Sequence, residues 1–349
     1  MRGICPLLEG HSIVTVERVL LAHGGGGRLT KELIAQVFLP CLSNPKLDAL
    51  DDAALLDLES GGWALTTDTY VVSPLFFPGG DIGKLAVCGT INDLAVKGAR
   101  PLWMSLGVVL EEGLAMSDLR RVAESIGYWA KSEGVAVVTG DTKVVERGRC
   151  DGIYLNTAGI GRLATPLPLG PASIQPGDSV MVSGHLGDHG VAVMGRRSGI
   201  TFSPEVPSDC APLWGLVNAV IAAGCTIHAM RDLTRGGLAG ALCDLAEISK
   251  LGMRVWEGKV PVRSAVKGAC DLLGLDPLNV ANEGTLVIFC PADEAGGVLS
   301  AMRSHPFGRS AAVIGEVCEE PRGTVLLAST IGGERIVDMP TGEDLPRIC

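Results

Sequence analysis

The strongest constraint on the fold is the alternation along the chain of short β-like apolar runs with segments of helical period. This alternation is typical of α/β or α+β folds, in which helices cover a sheet. In the first half, strands are predicted at Ile13–Leu21, Ala53–Leu58, Trp63–Thr67, Leu102–Leu110, Val135–Thr139 and Ile153–Ile160. Helices are predicted around Leu29–Val37, from about Ile82 to Val96, and over Leu119–Trp129 with Ser117 as N-cap.

The second half repeats this pattern after a proline-rich segment at residues 165–171, which is typical of a linker. Strands are predicted at Ser179–Ser183, Met253–Trp256, Thr285–Cys290, Ala311–Val317 and Thr324–Ala328, and helices near Asp209–Ala223, Gly236–Ile248 and Ala292–Met302. The chain has 349 residues, and a domain holds roughly 100–200. We therefore expect an extension and first strand (1–22), an N-terminal domain (23–164), a C-terminal domain (165–338) and a mobile tail (339–349).

Composition excludes several classes of function. The net charge is −10 and aromatic residues make up 4%, which disfavours nucleic acid as a partner because phosphates require a basic surface and single strands require aromatic platforms. The longest apolar stretches, such as Leu102–Leu110, fall short of the roughly 20 residues that cross a membrane. The eleven cysteines form no C-x-x-C pair. We expect a cytoplasmic protein with reduced thiols.

Aspartates recur at predicted strand ends and turns of the first half. They are Asp51, Asp52, Asp68, Asp93 and Asp141. Carboxylates in such places suit Mg²⁺, which takes oxygen ligands and usually bridges to substrate phosphates. Each of them taken alone is equally typical of an ordinary turn or helix cap.

A run of four glycines, 24–27, precedes the first predicted helix, so its free amide groups are placed to hold a phosphate. A flexible loop is the alternative. The Walker A motif is absent, because the nearest match, Gly79–Leu85, is one residue short and lacks the Ser or Thr that binds metal. The G-x-G-x-x-G motif is absent as well, so any nucleotide is bound by neither common loop.

Two clusters in the second half carry charge. Asp232 and Arg235 precede a predicted helix, where they suit metal and phosphate oxygens or, alternatively, a capped helix start with a surface ion pair. Glu283 stands just before a predicted strand, where a carboxylate can be oriented as a base. His185 and His189 are four residues apart, but the glycines around them predict a loop.

Cys349 is the last residue of the chain. Prenylation requires the cysteine at the fourth position from the end, so that interpretation fails. The alternatives are an accident of the terminus or a thiol on a swinging arm. Eleven tail residues at about 3.3 Å each reach at most roughly 36 Å, which is enough to visit both an active site and a partner protein.

Together these stretches resemble the aminoimidazole ribonucleotide synthetase superfamily and, within it, the HypE family of nickel–iron hydrogenase maturation proteins. The resemblance covers positions 23 to 349, nearly the whole chain. Its matching segments are His23–Gly27, Asp51–Asp52, Thr66–Val72, Phe77–Gly83, Gly89–Asp93, Gly140–Val144, Met230–Gly237, Asn282–Gly284 and the ending Pro346–Cys349. The ending is the most specific of them. Leu233 departs from the family, which often has Pro there, and residues 1–17 extend beyond it.

The resemblance implies two α/β domains of the synthetase type, with the N-terminal domains pairing into a homodimer and ATP bound at the dimer interface. It implies that a carbamoyltransferase places a carboxamide on the terminal thiol. The HypE-like protein then dehydrates this group to a thiocyanate with ATP, and an iron-holding maturation complex accepts the cyanide.

The same resemblance implies residue roles for ATP and Mg²⁺. Dehydration of an amide requires a cation beside the phosphoryl group and a base near the nitrogen. The candidate catalytic residues are Cys349, Lys143, Glu283 and Asp81, with Glu283 as the base and Lys143 as the cation. The candidate metal ligands are Asp51, Asp68, Asp93 and Asp141. The candidate ATP-binding residues are Gly25, Gly26, Gly27, Asp52, Asp68, Thr69, Asp93, Asp141, Thr142, Asp232 and Arg235.

Three other functions remain as alternatives. A small-molecule kinase or ATP-dependent ligase of the same superfamily would use the same aspartates without needing Cys349. A non-catalytic carrier would hold the modified thiol for other proteins to process. A thiol-based metal chaperone is disfavoured, since the sequence lacks paired Cys or His.

Overall fold

The structure is a computed structural model that describes residues 17–25, 27–50, 53–165, 169–339 and 347–349. Its helices are α1 (Arg28–Leu33), α2 (Leu39–Leu42), α3 (Ile82–Ala95), α4 (Met116–Ser132), α5 (Asp188–Ser198), α6 (Trp214–Ala222), α7 (Gly237–Ser249), α8 (Ser264–Leu273) and α9 (Ala295–Ser304). Its strands are β1 (Trp63–Tyr70), β2 (Phe76–Phe77), β3 (Gly80–Asp81), β4 (Ala99–Glu111), β5 (Ala136–Val145), β6 (Ile153–Leu163), β7 (Asp178–Val182), β8 (Ala229–Asp232), β9 (Gly252–Trp256), β10 (Leu286–Pro291), β11 (Ala312–Cys318), β12 (Val325–Ala328) and β13 (Glu334–Val337).

The N-terminal half forms a four-stranded sheet in the order β1-β6-β4-β5, with a parallel pairing between β4 and β5. Helix α3 packs on β1, β6 and β4, and α4 packs on α3 and β5. The inner sides of the strands supply buried residues such as Tyr70, Leu106 and Leu155 to this helical layer. The sheet therefore has one face covered by helices.

The outer face of this sheet is open in the part of the chain that the structure describes. Alternation along a strand places Leu65 of β1 on the side opposite Tyr70, and its side chain is 73% exposed. Trp63 and Trp103 stack on each other with ring centroids 5.9 Å apart. An exposed apolar sheet face of this kind is typical of a protein–protein contact.

The C-terminal half forms a seven-stranded sheet in the order β13-β12-β9-β11-β7-β10-β8. Its central strands are buried on both faces. Along β7, Val180 and Val182 belong to the core beneath α7, whereas Met181 belongs to the core beneath α6 and α9. Because alternate side chains enter opposite cores, this strand is a continuous apolar run.

The predicted class of two α/β domains is confirmed, but several elements differ from expectation. Helix α5 occupies the stretch around His189 for which the glycines predicted a loop, and α8 is a further helix that the sequence did not indicate. No strand forms at residues 53–58. Helix α4 begins at Met116 with Ala115 as N-cap rather than Ser117. Helix α6 begins five residues later than predicted, at Trp214.

Within the described ranges, no helix is both long enough and apolar enough to span a bilayer.

Candidate active site

A cleft between the two halves gathers residues from three parts of the chain. The end of β1 contributes Thr69, the segment after β8 contributes Arg235, and the last residue, Cys349, lies at the same cleft. Asp232, the final residue of β8, also lines it. Segments that the sequence separates by more than 270 residues thus meet at one place.

Three predicted carboxylates lie close enough in or beside this cleft to influence one another electrostatically. Asp93 accepts a hydrogen bond of 2.6 Å from Thr66 Oγ1, and burial raises its pKa, with the charge of Asp68 adding to the shift. The pKa of Asp232 rises to about 7, mainly through burial and then through the charge of Asp93. Carboxylate oxygens are the ligand type that a hard divalent cation takes, although these three side chains do not form a closed metal-binding cluster.

Glu283 lies close enough to Asp232 of the cleft to feel its charge, and it is 2% exposed. Its Oε1 atom has no hydrogen-bond partner among the residues that the structure describes. Burial raises the pKa of its carboxyl well above the ordinary value, and the nearby Cys210, Asp232 and Asp209 raise it further. A buried carboxyl with an open oxygen is available to a group that enters from the cleft.

Asp209 fixes the turn that carries Glu283. Its Oδ1 accepts a hydrogen bond from Glu283 N at 3.0 Å, and its Oδ2 accepts from Gly284 N at 3.1 Å and from Thr285 Oγ1 at 3.0 Å. A Cβ on Gly284 would lie 1.9 Å from the carbonyl oxygen of Asp209, so only glycine fits there. The Glu283 carboxyl is therefore held on a rigid turn.

The last three residues of the chain dock at the cleft. Val71 N donates to Cys349 O at 3.2 Å, and Ser73 N donates to Arg347 O at 3.1 Å. Ile348 is 4% exposed and belongs to an apolar cluster that contains residues of both halves. The terminal thiol residue is thus fixed at the cleft by the chain around it, while most of the predicted tail, residues 340–346, lies outside the described residues.

Asp141 and Lys143 lie apart from this cluster within the single chain. They project from β5, the edge strand opposite β1, so roughly 14 Å of sheet separates them from Asp68. Lys143 Nζ contacts Asp141 Oδ2 at 2.9 Å, and this hydrogen bond lowers the Asp141 pKa. Thr142 N donates to Asp141 Oδ1 at 2.8 Å.

The remaining predicted residues have varied positions. Gly27 is the N-cap residue of α1, and Gly25 lies just before it, while Gly26, Asp51 and Asp52 fall outside the described residues. The glycine run packs near β5, since a Cβ on Gly24 would lie 2.4 Å from Val144 N. Among the described residues, no group of three or more His, Cys, Asp or Glu side chains forms a metal-binding cluster.

Asp81 has its carboxylate occupied by the start of α3. Its Oδ1 accepts from Gly83 N at 2.8 Å and from Lys84 N at 3.1 Å, and its Oδ2 accepts from Ser125 Oγ at 2.8 Å. These three bonds make Asp81 the N-cap of α3, and nothing in the geometry connects it with the cleft.

Comparison with known proteins identifies the family. A family model described as AIR synthase related protein, N-terminal domain, matches residues 50–163, and its C-terminal counterpart matches residues 175–328. Over 331 residues the chain is 48% identical to carbamoyl dehydratase HypE of Azotobacter vinelandii. This alignment covers 95% of this chain and 97% of the relative.

The chain belongs to the HypE family.

The solved HypE structures agree with this assignment. A crystal structure of hydrogenase maturation protein HypE in complex with ATP matches with a TM-score of 0.92 and 45% identity, covering 95% of this chain and 99% of that one. A HypE–HypF complex matches with a TM-score of 0.78 and 43% identity, covering 90% and 100%. The predicted HypE family, and an enzyme of the carbamoyl dehydratase class, are confirmed.

Sequence reasoning missed the residues that support the HypE site. His189 and Arg197 lie on the unpredicted helix α5 and contact the tail, as described below. Asp209 lay inside a predicted helix but belongs to a loop. No spacing or motif in the sequence singles out these three residues.

Proposed function

We propose that this chain uses ATP to dehydrate an S-carboxamide on its own Cys349 to a thiocyanate, as a step in hydrogenase maturation. The observation that carries the proposal is the position of Cys349 at the interdomain cleft of a HypE-family fold, beside Asp232 and Arg235. A terminal thiol docked among carboxylates and a guanidinium is placed as a substrate.

The proposed reaction balances as S-carboxamide plus ATP giving thiocyanate, ADP and phosphate. The carboxamide oxygen is a poor leaving group in itself. Mg²⁺–ATP, when bound, supplies the phosphoryl group that turns this oxygen into phosphate. One N–H proton is lost as the oxygen is phosphorylated, and loss of the second together with phosphate leaves the C≡N triple bond; one proton goes to the base and the other leaves with phosphate.

Glu283 is the proposed base for the N–H proton. Its open Oε1 and its burial support this role, because a carboxylate that is costly to ionise binds a proton strongly. The rigid Asp209 turn fixes the backbone that carries the carboxyl. The depth of the site also limits competing hydrolysis.

The proposed Mg²⁺ and triphosphate ligands come from several segments of both halves of the chain. Asp68 and Asp93 are proposed for the metal because their charges repel each other and a bound cation would relieve this repulsion. Asp51 and Asp52 remain proposed as well. Thr69, Asp232 and Arg235 are proposed to bind ATP from the cleft, and Gly25, Gly26, Gly27 and Thr142 from the glycine loop and β5. Asp81 was also a candidate catalytic residue, and variants that separate its N-cap role from activity can test this role.

A homodimer is proposed to bring Asp141 and Lys143 to the cleft. Register places Asp141 opposite Gly107, and alternation puts both on the outer face of the sheet with Leu65. If two copies pack through this exposed apolar face, Asp141 and Lys143 of one copy lie over the other copy's sheet. Lys143 would then stabilise the charge on the transferring phosphoryl group.

The proposed partners follow from the family. A HypE relative is known in complex with HypF, and we propose that an equivalent carbamoyltransferase charges Cys349 here. An iron-holding maturation complex is the proposed acceptor of the cyanide. A cytoplasmic location is proposed too, and the ten described cysteines, all free thiols, support it.

Two alternatives stay distinct from this proposal. A small-molecule kinase shares the fold, since a thiamine-monophosphate kinase of Stenotrophomonas maltophilia matches with a TM-score of 0.61 at 22% identity. That likeness concerns the fold alone. A non-catalytic thiol carrier would keep Cys349 docked but would leave dehydration to another protein.

The test is the intact mass of the C-terminal peptide. The protein is charged by its carbamoyltransferase and then incubated with or without Mg²⁺–ATP. We expect a carboxamide on Cys349 that becomes one water lighter only with ATP, and no modification in a Cys349→Ala variant that still binds Mg²⁺–ATP.

The other outcomes separate the alternatives. A carboxamide that forms and stays unchanged assigns the chemistry to another protein and leaves a carrier. A thiol that is never modified, in a chain that phosphorylates a free small molecule, favours the kinase.

A further inference from the structure

The docked tail is held by hydrogen bonds to its main chain, by burial of the Ile348 side chain and by an ion pair between Arg347 and Asp151. Two carbonyl oxygens of the tail accept hydrogen bonds from side chains of α5. His189 Nε2 lies 2.7 Å from Ile348 O, and Arg197 Nη2 lies 2.6 Å from Arg347 O. These bonds stand beside the two that the backbone amides of Val71 and Ser73 donate to the tail.

The tautomer of His189 follows from its partners. A carbonyl oxygen can only accept, so Nε2 carries the proton and donates to Ile348 O. Nδ1 is then the acceptor of the Ser208 hydroxyl at 2.8 Å, and Ser208 Oγ in turn accepts from Cys210 N at 3.0 Å. The edge-on ring of Phe77, 5.4 Å away, completes the surroundings of the imidazole. The Nε2–H group is therefore aimed at the tail by fixed contacts.

His189 is fully buried, and Ile348 beside it is 4% exposed. Ile348 belongs to the same apolar cluster as Val191, Val266 and Val280. If His189 were lost, the Ile348 carbonyl would stay buried without this donor, which is costly. The bond thus favours the docked position of the tail over the released one.

Arg197 adds a second contact at the mouth of the site. Its Nε donates to Ser73 O at 2.8 Å while its Nη2 reaches Arg347 O. One guanidinium therefore joins the tail to the segment along which the tail lies. Arg196, next to it on α5, makes no such contact within the described residues.

We propose that His189 and Arg197 form a tail latch that docks residues 347–348 by their carbonyl groups and so positions the Cys349 thiol at the cleft. Both are positioning residues. Because the latch binds main-chain atoms, it holds the tail alike before and after the thiol is modified. The catalytic consequence rests on the proposed function, whereas the docking consequence does not.

The experiment measures alkylation of Cys349 by iodoacetamide in the full chain, with Cys318 at the end of β11 as an internal reference. Peptide mass spectrometry gives both rates. Loss of the hydrogen bond in His189→Ala is expected to raise the Cys349 rate about tenfold without changing the Cys318 rate. His189→Gln, whose amide can donate to the same carbonyl, should restore slow alkylation.

Arg197→Ala is the second test, with Arg196→Ala as its matched control. Both residues are exposed on α5, so neither change should prevent folding. We expect faster Cys349 alkylation in Arg197→Ala but not in Arg196→Ala. Single-turnover dehydration should be slower in Arg197→Ala and in His189→Ala.

Equal Cys349 rates in Arg197→Ala and Arg196→Ala, together with an unchanged rate in folded His189→Ala, would overturn the latch. If the parent chain does not dehydrate its carboxamide, the proposed function fails instead, and the alkylation rates still decide the latch.

Discussion

Glu283 is the residue on which the proposed chemistry depends most. Its carboxyl is buried, its Oε1 has no partner among the residues that the structure describes, and its pKa is raised first by burial and then by neighbouring negative charge. Each of these conditions favours the protonated form in the resting site. The ionised form required of a base therefore becomes populated only as the pH rises.

We predict that Glu283→Gln lowers single-turnover dehydration by about 10²–10⁴-fold, the usual contribution of a general base. In the parent chain the rate should rise with pH, with a midpoint above the ordinary Glu value of about 4.3. The measurement is a rapid-quench rate against pH on the charged protein.

Asp232 is the control for this profile, because its pKa is also raised, to about 7, and its titration would add to the profile. A midpoint that persists in Asp232→Asn belongs to Glu283. The Glu283→Gln variant should also be folded. Because the pKa of Glu283 is raised in the folded state, ionisation of its carboxyl reduces stability as the pH rises. Removing this charge therefore does not destabilise the protein at neutral pH. Full activity in Glu283→Gln would exclude the base role.

At this scale the sequence located the residues better than their surroundings. Asp232 was found because it stands in a charged cluster before a predicted helix, and Glu283 because it stands just before a predicted strand. Asp209 and His189 were not, since their roles depend on contacts with Glu283 and Ile348 that are 74 and 159 residues away. Such distant contacts leave no periodic trace in a single sequence.

Helix α3 illustrates how one element places site residues. It is largely apolar, with 12 of its 14 residues buried, and it carries Asn92 and Asp93 near its C-terminal end. Its N-terminus is fixed by Asp81, whose carboxylate satisfies two amide groups that the helix leaves unpaired. The cap and the site therefore lie at opposite ends of the same helix.

We predict that Asp81→Ala lowers the free energy of unfolding by about 1–2 kcal/mol, the usual effect of a lost N-cap. Asp81→Asn, which keeps an acceptor oxygen, should lose less. Single-turnover dehydration, measured well below the midpoint of thermal unfolding, should change little in both variants. Chemical denaturation gives the first quantity.

A large loss of activity in stably folded Asp81→Asn would return Asp81 to the chemistry. Ser125→Ala serves as the control for the packing of the cap, because it removes only the bond to Oδ2.

Elements with strong periods were predictable, and those with mixed signals were not. The continuous apolar runs of β7 and β10 follow from burial on both faces, and their positions were predicted to within one or two residues. Helix α5 was missed because Gly190 and Gly195 have low helix propensity, which tertiary packing overrides. The predicted strand at residues 53–58 had the right composition but gained no sheet partner.

At the scale of the whole molecule, the cleft exists because the two halves are joined in a fixed relation. Asn92 on α3 reaches into the C-terminal half. Its Nδ2 donates to Ala211 O and Glu283 O, both at 3.1 Å, and its Oδ1 accepts from Leu213 N at 2.8 Å. All of these groups are buried, so water cannot replace Asn92 as their partner.

The sequence predicted two domains and which loops belong together, but it gave no sign of this junction. Asn92 was noted only as the neighbour of Asp93. An amide that pairs with three backbone groups of another domain is chosen by geometry, and no rule of composition or spacing reports it.

We predict that Asn92→Ala lowers the free energy of unfolding by about 3 kcal/mol or more, since it leaves three buried backbone groups without a partner. Asn156→Ala is the matched control. The Asn156 side chain makes two hydrogen bonds, to Asp68 O and Thr69 Oγ1, but it is exposed and lies within one domain. Its loss should cost below about 1 kcal/mol, because water can satisfy the freed groups. Urea denaturation of both variants checks the difference, and equal losses would mean that the junction does not depend on Asn92.

Asn92 also supports the backbone of Glu283 through its hydrogen bond to Glu283 O. The Asn92→Ala variant should therefore lose dehydration activity even where it remains folded. This result would tie the geometry of the site to the packing of the two halves.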